Sequence, residues 1–173
     1  MKTLGTIQKT FHVFMILAKV VAVLSFVAAG LALLAAGCGT VWRNGGTVVG
    51  LQMESMISLT GAHGLDHMIG LTLADGVFAL TNGVLFAMAH LYLKCEQADG
   101  TPFTMDGANR VKRLGIRMIV LPLVAEIVAK VIDACFGLDR QGAWRDGFLL
   151  LGVVLILASL VLRYGAELEQ KQA

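Results

Sequence analysis

Residues 100–136 read GTPFTMDGANRVKRLGIRMIVLPLVAEIVAKVIDACF, a basic amphipathic turn that passes without a break into a long apolar stretch. Pro102 and Phe103 precede Thr104, whose hydroxyl can cap a helix starting near Met105, with Phe103 folding back onto Ala108 as a hydrophobic staple. Arg110, Lys112, Arg113 and Arg117 crowd the first turns, and Val111, Leu114 and Ile116 form the apolar side of an amphipathic lead-in. Pro122 removes one backbone hydrogen bond and frees the carbonyl of Met118, so a kink is expected there. Beyond it Glu126, Lys130 and Asp133 stand four and three residues apart, hence on one face, where they can pair. At a rise of about 1.5 Å per residue from Arg117, Glu126 lies about 13 Å along the helix, near the centre of a bilayer core about 30 Å thick. Asp133, at about 24 Å, nears the opposite interface. Charge at the depth of Glu126 costs roughly 2.5–3.5 kcal/mol on insertion scales and faces the bundle interior. A structural ion-pair network is expected there, with an ion or proton path as the alternative.

Working outward, the composition sets the class. The chain is 57% hydrophobic and 15% charged, with a mean hydropathy of +0.76; soluble domains carry about a quarter charged residues. An all-α membrane protein follows. Its 173 residues suffice for a single integral membrane domain over 1–173, but not for a large soluble enzyme domain as well. A net charge of +2, with basic residues gathered near the ends of the apolar stretches, gives no reason to expect nucleic acid as a partner. The expected partner is the lipid bilayer itself.

Four helices are expected, at about 6–37, 72–97, 105–136 and 148–170, with outer loops at about 38–71 and 137–147. Lys2, Lys9 and Lys19 flank the first, and Val20 to Gly37 then carries no charge, enough to cross if Lys19 snorkels. Ala35-Ala36-Gly37-Cys38 loosely resembles a lipoprotein processing site but lacks the branched aliphatic residue at its first position, so cleavage is not expected. Between Cys38 and Asp75 no apolar run is long enough to span lipid, so this stretch reads as an aqueous loop. Within it Thr40–Arg43 and Thr47–Leu51 flank Asn44-Gly45-Gly46, a pattern that favours a β-hairpin. His63, Asp66 and His67 bring metal-ligand types together, yet the spacing fits no general rule, and a solvated loop without metal is the expectation.

In the second helix Ala79, Gly83 and Ala87 recur every four residues, a stripe that lets another helix approach closely. His90 falls on that face, four residues before Lys94, which fits a histidine near the interface hydrogen-bonded to a neighbour. Asn82 sits deeper and needs a partner, because an unpaired amide in hydrocarbon costs several kcal/mol. The fourth helix is apolar from Phe148 to Leu162, with Arg163 and Tyr164 suited to the headgroups and Trp144 to the opposite interface. Ten basic residues (Lys2, Lys9, Lys19, Lys94, Arg110, Lys112, Arg113, Arg117, Arg163 and Lys171) lie at one face, against Arg43, Arg140 and Arg145 at the other. The imbalance places both termini and the Cys95–Arg117 connector in the cytoplasm. Cys38 and Cys135 fall near the outer face, where free thiols are expected rather than a disulfide.

The connector GTPFT with Ala108-Asn109-Arg110-Val111-Lys112-Arg113-Leu114-Gly115, and the terminal Leu162-Arg163-Tyr164-Gly165-Ala166-Glu167-Leu168-Glu169, resemble the corresponding segments of small bacterial membrane proteins grouped as domain of unknown function 2975. That resemblance covers nearly the whole chain. It implies a four-helix protein of the bacterial cytoplasmic membrane, in some cases encoded beside a small helix-turn-helix regulator, and no established activity. No nucleophile–base pair, phosphate loop or zinc pattern is present, so no catalytic residue and no cofactor are expected. The expected role is a non-enzymatic regulatory or scaffolding component, with Arg110, Lys112 and Arg113 docking a cytoplasmic protein or anionic lipid. The alternative is a small transporter or channel using the charges of the third helix.

Overall fold

A computed structural model describes residues 2–45, 54–99, 104–138 and 146–172, with side chains over 12–45, 64–97, 104–138 and 147–168. The described residues form four helices: α1 (Lys2–Arg43), α2 (Glu54–Asp99), α3 (Met105–Phe136) and α4 (Asp146–Gln172). Three contain segments long and apolar enough to cross a membrane: His12–Arg43 of α1, Gly64–Gln97 of α2 and Gly147–Leu168 of α4. In α3, which has the length, Glu126, Lys130 and Asp133 interrupt the apolar stretch.

Two expectations are corrected. Thr40–Arg43, the first arm of the expected hairpin, is the last turn of α1, closed by Gly45 at φ 76° with its N–H donating to the Trp42 carbonyl. The second arm, at 47–51, lies outside the described residues. Likewise α2 begins at Glu54 rather than near Thr72, so most of the expected aqueous loop is helical. A helix needs only one face to bury: Ile69 and Ala74 are buried, Ala74 at 0% exposure, and from Gly64 the stretch belongs to the segment of α2 apolar enough to cross a membrane. Tertiary packing of that face outweighs the weak helix propensity of Gly and Thr.

The chain resolves into two compact units, residues 1–24, 82–123 and 144–173 in one and 25–81 with 124–143 in the other. In the second, α1 meets α2 through small residues. Ala29 and Ala36 are buried, a Cβ on Gly76 would stand 3.3 Å from that of Ala32, and one on Gly39 would reach 2.7 Å from Ile69 Cγ1. The end of α3 closes with Gly137 at φ 64° and the Leu138 N–H donating to the Asp133 carbonyl at 2.8 Å, a Schellman cap. Phe136 and Leu138 then lie against Gly70, leaving no room there for a side chain. An ion pair at 3.2 Å joins Arg43 to Asp66.

The first unit draws on all four helices. Leu85, Leu114 and Met118 form its core, with Met88, Tyr92, Leu121, Phe148 and Leu155 around them. Antiparallel α4 crosses α3 so closely that a Cβ on Gly115 would lie 2.9 Å from the Gly152 carbonyl oxygen, and one on Gly152 would lie 2.6 Å from Ile119 Cγ1. The face that α1 buries is made of alanine (Ala18, Ala22, Ala29, Ala36), while Phe14, Leu17, Leu24, Leu31 and Leu34 are exposed. Small residues inside and large apolar ones outside is the inverse of a soluble amphipathic helix, and it suits lipid as solvent.

Candidate functional site

The site is built where α2 ends and α3 begins. Thr104 caps α3: the Gly107 N–H donates to its Oγ1 at 2.9 Å and the Ala108 N–H to its carbonyl at 3.0 Å. The helix starts at Met105, where the sequence places it; Phe103, the expected staple partner, lies outside the described residues. Ala108, Val111, Leu114 and Met118 are buried, and this seats the first turns of α3 on the core of the unit.

Glu96 is the residue the sequence does not reveal. Only 6% exposed, its carboxylate lies so close to Gly107 that a Cβ there would come within 2.8 Å of Oε1. Glycine inside the first turn of a helix sacrifices about 1 kcal/mol of propensity relative to alanine. Here it lets a carboxylate reach a helix N-terminus, where free N–H groups and the macrodipole favour negative charge. Glu96 and Arg110 both lie within electrostatic reach of the Tyr92 phenol. A local signal for this cluster exists only in Gly107, placed three residues after a capping threonine.

The three expected docking residues separate. Arg110 is half-buried, whereas Lys112 and Arg113 are exposed. Arg110, Arg113 and Arg117, at helical spacing, line one open groove of about 220 Å³ with Met88, Leu91, Tyr92, Cys95 and Leu114; Lys112 is not among its walls. Arg117 Nη1 stands 3.8 Å from Met88 Sδ across that groove. Among the described residues neither Lys112 nor Arg113 pairs with an acid, whereas Arg43 and Arg163 are matched by Asp66 and Glu167.

The intramembrane candidates also separate. His90 Nδ1 lies 3.0 Å from the Met15 carbonyl of α1, and since a carbonyl only accepts, Nδ1 carries the proton. Asn82 is half-buried. On α3, Asp133 is buried at 7% exposure, Glu126 is half-buried and Lys130 is exposed. Among the described residues no ion pair joins Glu126 to Lys130. Of the metal-ligand types, Asp66 is engaged by Arg43, His67 is exposed, and the His63 side chain lies outside the described residues. Cys38, Cys95 and Cys135 are free thiols.

Fold and site together define a class: an all-helical chain, with three helices long and apolar enough to cross a membrane, that carries a capped, arginine-lined groove at one helix junction. Compared with protein-family models, with curated proteins and with solved structures, the chain matches none.

Proposed function

We propose that this chain is a four-span protein of the bacterial cytoplasmic membrane, akin to the domain of unknown function 2975 proteins, acting as a non-enzymatic regulatory or scaffolding component. Its termini and the start of α3 face the cytoplasm. Support for α3 as the fourth span comes from contacts at both ends of the α2 crossing segment, Glu96 against Gly107 and Gly70 against Phe136. A helix that accompanies a membrane span at both of its ends shares its solvent. The 104–138 stretch then carries the chain from the inner face to the outer.

The observation that carries the regulatory role is the charge of Lys112 and Arg113, adjacent and exposed near the start of α3 and paired with no acid among the described residues. Such charge attracts an acidic cytoplasmic protein and sets its orientation. Pull-down from native membranes tests it: a stoichiometric partner retained by the parent chain and lost on Lys112→Glu with Arg113→Glu is the expected result. Arg110 stays unchanged in that experiment because it belongs to the Tyr92–Glu96 cluster. No partner, together with proton or cation flux in liposomes, favours transport, for which the buried Asp133 of α3 is the supporting observation.

A further inference from the structure

The groove between α2 and α3 combines two chemistries that free solutes rarely need together. Three guanidinium groups, of Arg110, Arg113 and Arg117, stand on one wall, and Met88, Leu91 and Leu114 supply apolar surface beside them. Leu91 is 59% exposed and Val120, three residues past Arg117 on the same helix face, is 48% exposed, so apolar surface continues from the arginines. The α3–α4 contact at Gly115, Ile119 and Gly152 adds a constraint on depth. It sets the α4 turn 153–157 level with 113–117 of α3, and Val153, Val154 and Leu157 of that turn face outward. The exposed arginines therefore share a level with surface suited to acyl chains. Guanidinium groups at such a level require an anion, and among the described residues the chain supplies no acid to Arg113.

We propose that this groove holds one anionic phospholipid from the inner leaflet, its phosphate gripped by Arg113 and Arg117 and an acyl chain lying along Leu91 and Val120. Arg is suited to the task because its fork binds two phosphate oxygens at once. The proposal rests on the reading that the start of α3 faces the cytoplasm, and it assigns a ligand to the groove distinct from the protein docked through Lys112.

The test uses the purified full chain in mild detergent, titrated with dioleoylphosphatidylglycerol or dioleoylphosphatidylcholine and followed by native mass spectrometry. The first phosphatidylglycerol is expected to bind at least about tenfold tighter than phosphatidylcholine. Arg113→Gln and Arg117→Gln should each remove most of that preference, and Arg113→Lys should restore part of it. Leu91→Trp, which fills the groove without altering charge, should weaken binding of the phosphatidylglycerol. Lys112→Gln, outside the groove, should change nothing. Equal binding of the two lipids overturns the proposal, as does an equal loss from Lys112→Gln and Arg113→Gln, which would mean diffuse charge only. Displacement by an equal concentration of glycerol phosphate would make it a phosphate site without an acyl component and overturn it too. Lys112→Glu separates this proposal from the docking reading, since it should weaken partner capture while leaving lipid binding intact.

Discussion

The seam between α1 and α2 and the junction between α2 and α3 are held by opposite means. At the first, Ala29, Ala32, Ala36 and Gly39 let the helix approach Ile69 and Gly76, with the Arg43–Asp66 ion pair at the end of α1. At the second, a capping hydroxyl and a buried carboxylate converge on a glycine. In lipid the hydrophobic effect does not draw helices together, so close van der Waals contact must do it in one place and satisfied polar groups in another. The lesson concerns tolerance. A small-residue seam should degrade in proportion to the volume added, whereas a polar junction should fail as a unit.

The largest effect is expected at Gly115, where an added side chain would meet backbone of α4, the Gly152 carbonyl at 2.9 Å and the Ile156 nitrogen at 3.1 Å. Gly115→Leu should destabilise by about 3 kcal/mol, read by unfolding in mixed detergent micelles. Gly39→Ala should cost less, about 1 kcal/mol, because the obstacle is the Ile69 side chain, and Gly76→Ala less still. An equal response at all three positions would contradict graded packing.

Glu96 comes next. Glu96→Ala removes the buried carboxylate from the N-terminus of α3 and should cost about 2 kcal/mol. Gly107→Ala pushes against the same carboxylate and should cost about 1–2 kcal/mol. If the junction acts as a unit, the double variant falls well short of the sum, a coupling that a thermodynamic cycle measures directly. Additive losses would show that carboxylate and glycine do not interact. Lys130→Met should have the smallest effect, within about 0.5 kcal/mol, since Lys130 is exposed and makes no ion pair with Glu126.

The two regions also differ in how far the sequence discloses them. Thr104 as cap and Met105 as helix start are legible because capping depends on neighbours three residues away. The expectation that 38–71 is a loop fails because the absence of a lipid-spanning run says nothing against a helix packed on protein, and Ile69 and Ala74 are that packed face. A paired Glu126, Lys130 and Asp133 follows from spacing alone, yet their faces differ by enough that Asp133 is buried and Lys130 is exposed. Glu96 was hidden because its importance arises from a contact across the connector, and Arg110 separates from Lys112 only once the buried side of α3 is known.

Whether α3 crosses the membrane decides the account, and paired cysteine labelling decides that. In a chain with Cys38, Cys95 and Cys135 replaced by serine, single cysteines go in at Asp106, which is exposed, and at Gly147, where a side chain meets open space. With α3 as a span, an impermeant maleimide added to intact cells should label Gly147→Cys at once and Asp106→Cys only after permeabilisation. Labelling of both from the same side would mean that α3 does not cross, and the four-span account would be wrong.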